Sequence, residues 1–349
     1  MRELTTIEAL REAQDLAMQK YPNVFIIGEG VSDPKSIFGY TLGLHKKYPE
    51  RVFDSPISEN GITGVCIGSA LTGLRPILIH QRAGFSLYSF DQIINIAAKW
   101  HSLYGGNGKI PLVIRMIIGR GWGQSSQHSQ NIQSLFAHIP GLKVVMPATP
   151  SDAKGLLISS IEDNNPVIFL EHRWIQRLKG EVPEGYYTVP LGKAKVVKQG
   201  RDLTIVSTSF MTIESLKASS ELEKIGVNVE IVDVRTLKPL DAETILNSIK
   251  KTKKLLAIDL GWRTSGFASE IITTVTENIQ LSSLPQRITS PDLNVPATPG
   301  LAKDYYPNHI TIIRKVLEML NKEDTISKKI EESIKIPYDV PDPEFTGPF

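Results

Sequence analysis

The chain has 349 residues, of which 41% are hydrophobic and 22% charged, a globular balance on a length suited to two domains. Its 39 Lys and Arg against 37 Asp and Glu leave a net charge of +2, which excludes the electrostatic footprint of a nucleic-acid binder. The single cysteine, Cys66, excludes an internal disulfide framework and a cysteine-based zinc site, and its apolar neighbours predict a buried structural thiol.

In chain order, short apolar runs alternate with helical patterns. Strands are expected over 24–27, 51–53, 76–79, 112–116, 143–146 and 167–170, with helices over 6–19, 59–72, 89–103 and 151–161 between them. A second set follows, with strands over 203–207, 229–232, 254–258 and 287–289 and helices over 211–225, 241–248, 265–276 and 309–320. This alternation argues for an α/β fold of two domains with mainly parallel sheets covered on both faces. Gly and Pro punctuate the segment 173–192, which sets the division at 190/191: a first domain over 1–190, a second over 191–321. The remaining 322–349 is charged and then proline-rich, and Pro337, Pro341, Pro343 and Pro348 favour an extended arm. The N-terminus carries no targeting pattern and no run of about 20 apolar residues occurs, so a cytoplasmic, membrane-free protein is expected.

Three stretches carry chemistry. Asp54-Ser55-Pro56-Ile57-Ser58-Glu59-Asn60-Gly61 runs from a strand end into a helix, with Ser58 a good N-cap. Gly61, Gly64, Gly68 and Ala70 leave that helix a small-residue face that another backbone can approach. Taken alone, Glu59 reads first as a first-turn acid complementing the helix dipole. The second stretch, His80-Gln81-Arg82-Ala83-Gly84-Phe85-Ser86 with Asp91-Gln92-Ile93-Ile94-Asn95, is a strand delivering a polar loop with one aromatic. The third, Gly119-Arg120-Gly121-Trp122-Gly123 through Gln127-His128-Ser129-Gln130, is a glycine-rich loop ending in a polar cluster. Its spacing does not fit a dinucleotide fingerprint, and the next strand ends in Met146-Pro147 rather than in an acid for a ribose. Polar crowding around His128 suggests a working loop.

In this order and spacing, the three stretches resemble the beta subunits of the thiamine-diphosphate-dependent 2-oxoacid dehydrogenases of the pyruvate and branched-chain type. Gly73-Leu74-Arg75-Pro76-Ile77, Pro140-Gly141-Leu142-Lys143-Val144-Val145, Asp163-Asn164-Asn165-Pro166-Val167 and Asp233-Val234-Arg235-Thr236-Leu237-Lys238-Pro239 extend the likeness, which covers about 2 to 320 and leaves the tail outside.

The resemblance implies a transketolase-like architecture, a pyrimidine-binding domain followed by a smaller C-terminal domain. It implies thiamine diphosphate shared between chains, with Mg2+ and the diphosphate held on an alpha subunit in a heterotetramer; the Gly-Asp-Gly motif of that alpha subunit does not occur here. By match to the family motif, Glu59 would hydrogen-bond the aminopyrimidine and promote its imino tautomer, from a pocket whose cover raises the carboxyl's pKa. Phe85 would stack on that ring and Ile57 would pack beside it. His128 matches the histidine that meets substrate or the incoming lipoyl group of a separate acyltransferase. Backbone carbonyls of Leu112 and Ser160, with Asp163 and Asn165, match a site for a monovalent cation such as K+, or else a capped helix end.

The expected reaction is decarboxylation of a 2-oxo acid with transfer of the acyl unit to lipoyl. The alternative is a two-subunit decarboxylase or carboligase without the lipoyl step. Two departures from the family lie where selectivity is set: Gln81-Arg82-Ala83-Gly84 before Phe85, and the loop Gly119-Arg120-Gly121-Trp122-Gly123. A guanidinium at Arg82 either pairs with a substrate carboxylate or phosphate or points to solvent.

Overall fold

The computed structural model of the chain describes residues 2–36, 38–119 and 124–334. The chain opens with β1 (Arg2–Thr5), a helix Thr6–Lys20 and β2 (Val24–Gly28). Thr5 and Glu8 form a reciprocal capping box, which is why the helix begins where it does. Then come β3 (Val52–Asp54), the helix Glu59–Leu71, β4 (Arg75–His80), β5 (Val113–Ile118), β6 (Lys143–Val145), the helix Pro150–Glu162 and β7 (Val167–His172). The strand β8 (Lys179–Val182) returns to pair antiparallel with β1. The second half runs through β9 (Lys195–Lys198), β10 (Leu203–Ser207), β11 (Val229–Asp233), β12 (Thr236–Lys238), β13 (Leu255–Trp262) and β14 (Gln286–Ser290), with helices between.

Two large sheets result. The first has the order β12-β6-β7-β5-β4-β2-β3 and is parallel except for β12, which joins β6 antiparallel. The second has the order β14-β13-β10-β11-β9, parallel except for the edge strand β9. Alternation along each strand feeds two cores, as the two-residue period requires. Leu78, Ile114, Met116, Val144 and Ile168 point to one side, into a core that continues through Val206, Val232 and Ala257 of the second sheet. Ile77, Ile79, Val113, Val145 and Phe169 point to the other, under the helices Thr6–Lys20 and Pro150–Glu162. Among the described residues, no helix is long and apolar enough to cross a membrane.

The structure corrects three local expectations. The single helix expected over 89–103 is a 3-10 turn, Phe85–Ser89, a π-helix, Asp91–Ala97, and a short α-helix, Trp100–Leu103. The wider winding shows in the bond from Ala98 N to the Ile93 carbonyl, five residues back. Ser58 occupies the N-cap position of its helix but its hydroxyl makes no capping bond. The charged stretch after 322 includes a helix, Ser327–Ser333, pinned by the Arg314–Glu331 ion pair at 2.5 Å and by Ile330 against a further core around Leu203, Ile231 and Val316 of the second half. The proline-rich part of the tail expected to be extended, and the loop residues Arg120 to Gly123, lie outside the described residues.

Candidate active site at the carboxyl ends of the first sheet

Parallel strands end on the same side, so β2, β4, β5 and β7 present their carboxyl ends together, where α/β sheets form clefts. Gly28 ends β2 so close to β4 that an added Cβ would stand 2.4 Å from the Ile79 carbonyl oxygen. This brings the following residue, Glu29, into a cleft also lined by Ser55, Pro56, Glu59, His80, Gln81 and Phe85. Gln81 Nε2 donates to the Glu29 carbonyl at 2.6 Å and fixes the loop after β4.

Glu59 is the first residue of its helix, half-buried, facing Glu29 across the cleft. Burial first, and the Glu59 charge second, push the Glu29 carboxyl above its ordinary value. Thr63 Oγ1 donates to the Glu59 carbonyl at 2.7 Å, tying the first turn. Ile57, between two lining residues, is 84% exposed. The helix continues outward with Gly61, Val65, Gly68 and Leu71 all exposed on one face.

Phe85 enters from the 3-10 turn and meets the His128 ring at 5.3 Å, tilted by 47°. The two loops can touch because Gly84 lacks a Cβ, which would fall 2.9 Å from the Gln127 carbonyl oxygen. The bond from Gly119 N to the Gln130 carbonyl, 3.1 Å, closes the base of the His128 loop. His128 Nδ1 is buried and finds no partner among the described residues. Burial, helped by the charge of Arg82, lowers its pKa, so the imidazole is neutral at neutral pH and able to accept a proton.

Next along the chain from the cleft-lining Gln81, Arg82 belongs to a buried cationic cluster. Arg82 is 3% exposed, its guanidinium 5.4 Å from the centre of the Phe38 ring, which Arg173 also covers at 5.1 Å. His80 is buried with Nε2 unbonded among the described residues, and burial takes its pKa down to about 4. His172 is driven lower, to about 3, by burial and then by Arg82; its ring stacks on Phe210 at 5.1 Å. Of this set, Glu29, Phe38, His172 and Arg173 carried no signal in the sequence analysis, although the end of a parallel strand is where such residues belong.

Leu112, Ser160, Asp163 and Asn165 lie away from these loops, at the opposite ends of β5 and β7. There the Leu112 carbonyl accepts from Val167 N at 2.9 Å, and Ser160 Oγ donates to the Leu156 carbonyl at 2.7 Å. Asp163 Oδ1 accepts from both the backbone N and Nδ2 of Asn165, at 2.9 and 3.1 Å. Arg75 Nη1 donates to the carbonyls of Ile161 and Asp163 at 2.9 and 3.0 Å, and Lys143 pairs with the Asp163 carboxylate. Two side-chain cations thus already engage this oxygen cluster.

Comparison with known proteins places the geometry in context. Residues 2–177 match the pyrimidine-binding domain of transketolase and residues 192–312 its C-terminal domain. The chain is 40% identical, over 88% of its length and 94% of the relative's, to the beta subunit of acetoin:2,6-dichlorophenolindophenol oxidoreductase of Cupriavidus necator. It is 43% identical to the pyruvate dehydrogenase E1 beta subunit of Acholeplasma laidlawii, over 85% and 92% of the two chains, and 38% identical to that of Bacillus subtilis, over 91% and 100%. In fold it is similar to a split-gene transketolase described as an inactive beta4 tetramer, with a TM-score of 0.74 at 23% identity, over 92% of this chain and 100% of that one. Two matched domains in this order, with relatives that span nearly the whole chain, show that it belongs to the beta-subunit family of the thiamine-diphosphate-dependent 2-oxoacid dehydrogenases.

Proposed function

We propose that the chain works as half of a 2-oxo acid decarboxylating site, completed by an alpha subunit that holds the diphosphate and Mg2+ of thiamine diphosphate. When bound, that cofactor supplies the carbanion chemistry which no side chain can. The residues of this chain fit its aminopyrimidine end. Glu59 offers a carboxyl for a ring nitrogen, Phe85 an aromatic face, and His80 Nε2 a buried polar atom without a partner among the described residues. The observation that carries the reading is the shared cleft of Glu59 and Phe85, with the His128 ring 5.3 Å from that of Phe85.

In this scheme Glu59 holds or releases a proton at its carboxyl oxygen, next to Glu29 whose own proton is retained more strongly than usual. Ile57 packs against the ring once a partner covers its exposed side chain. His128, neutral and with Nδ1 free of protein bonds among the described residues, accepts or donates a proton at the substrate oxygen or the acceptor group. The acyl unit then passes to a lipoyl group on a separate acyltransferase, and the complex operates in the cytoplasm.

Co-expression with the alpha subunit, followed by a decarboxylation assay over a series of 2-oxo acids with thiamine diphosphate, tests the reading. A complex that assembles, binds the cofactor and decarboxylates none of them overturns it. Glu59→Gln should cut turnover at least about 100-fold and slow hydrogen–deuterium exchange at the cofactor's reactive carbon, while assembly persists. Exchange at the wild-type rate removes Glu59 from the role.

A further inference from the structure

The relatives are named for acetoin and pyruvate, two different substrates, so selectivity has to be read from this chain's own interior beside the cleft. Its unusual feature is an excess of buried positive charge. Arg82, Arg115 and Arg173 are all at most 5% exposed, and the carboxylate that shares their surroundings, Glu171, is already bonded to Arg115 at 2.7 Å. The Tyr40 phenol feels all four charges, which places them around one centre. Arg173 donates to Gln176, but Arg82 Nη1 and Nη2 find no acceptor among the described residues.

Burial and the neighbouring Arg173 bring the Arg82 pKa down to about 10, so the group is still charged at neutral pH. A buried guanidinium without a counterion is a costly arrangement, and its two parallel N–H groups fit a carboxylate or a phosphate. The group lies beside the chemistry: Gln81, one residue before Arg82, lines the cleft, and the Arg82 charge is felt by His128, whose ring meets Phe85 at 5.3 Å.

The reacting carboxylate of a 2-oxo acid is a poor occupant. It loses its charge as CO2 departs, so a cation fixed on it favours the ground state over the transition state. A charge that persists through the reaction costs nothing at that step and gives a handle for orientation. We infer that Arg82, supported by Arg173 across the Phe38 ring, receives a second anionic group, a carboxylate or phosphate at the far end of the 2-oxo acid substrate. This rests on the decarboxylating function proposed above.

The test uses the complete alpha–beta complex with thiamine diphosphate and compares kcat/KM for 2-oxoglutarate, its terminal amide, and phosphonopyruvate. One of the two acids with an anionic tail should exceed the amide by more than about 100-fold, and which one it is separates carboxylate from phosphate recognition. Arg82→Met should bring that ratio below about 10, with the change chiefly in KM, and Arg82→Lys, which keeps the charge but not the fork, should fall between. If Arg82→Met fails to fold by thermal unfolding, the ratios of the wild type and of Arg82→Lys carry the test. Turnover of the amide as efficient as that of both acids, or an unchanged ratio in the folded variants, overturns the inference alone. Failure to decarboxylate any 2-oxo acid overturns the decarboxylating function instead.

Discussion

Asp233 ends β11 fully buried, with Oδ1 accepting from Thr212 at 3.2 Å and Oδ2 unbonded among the described residues. Burial, and then the nearby charge of Asp152, push its carboxyl up to about 7, against the opposing pull of Arg235. Because this group is easier to protonate in the folded chain than in the unfolded one, it adds stability that is complete below its ordinary value of 3.8 and lost as the pH rises through about 7. The unfolding free energy of the wild type from urea titrations should therefore carry a downward contribution across that window, of up to about 1.4 kcal/mol per pH unit. Asp233→Asn should remove the contribution; an identical pH profile in the variant assigns it elsewhere. Glu214 is the opposite case. Burial raises its carboxyl, but the bond from His309 and the charge of Lys217 outweigh this and hold it down to about 2. Its contribution is present above about 4.5 and lost as the pH falls toward 2. Glu214→Ala should lower the unfolding free energy at pH 7 by about 2–4 kcal/mol and by clearly less at pH 3, since it strips partners from the His309 backbone and ring.

At the scale of elements, glycines in the motifs mark where backbones meet. Gly141 has φ +93°, and a Cβ there would fall 1.8 Å from the Ala98 carbonyl oxygen. Both the left-handed conformation and the close approach demand glycine, which explains the Pro140-Gly141-Leu142 turn ahead of β6 without any catalytic role. Gly141→Ala should cost about 2–4 kcal/mol of unfolding free energy. Gly185→Ala, at φ +74° with open space around it, should cost only about 1 kcal/mol, and equal losses would refute the packing account. Of the elements themselves, most strands and helices were legible because their apolar period continues over whole segments. The helix expected over 89–103 was not, since a π-helical winding keeps the same composition while changing only the hydrogen-bond partner.

Across the whole molecule, β12 leaves the second half of the chain to pair with β6, and the two halves are bolted by buried polar bonds. Arg235 Nη1 reaches Asp152 at 2.9 Å, Gln133 Nε2 reaches Asp259 at 2.6 Å, and Ser209 Oγ donates to the Pro147 carbonyl at 2.9 Å. The outer face of the helix Glu59–Leu71 tells of a further contact. Gly68 has open space where a Cβ would sit and Val65 is 55% exposed, beside the cleft proposed above to be completed by an alpha subunit. Val65→Asp should leave the beta chain folded by circular dichroism yet weaken alpha–beta association at least about tenfold in sedimentation, through a charge placed in an apolar contact. Undiminished association would move the interface elsewhere.

By itself the sequence determined the two α/β halves, the ordered motifs of the family and the grouping of Glu59, Phe85 and His128 as candidates. These follow from local chemistry: apolar period, turn residues, and short runs that keep their spacing. Only the tertiary structure decided that Phe38, Arg82, Arg173 and His172 form one buried cluster, and that Arg75 and Lys143 engage the oxygens around Asp163. Sheet order brings such residues together at strand ends, and the burial that leaves Arg82 without an acceptor among the described residues arises from contacts far apart in the chain.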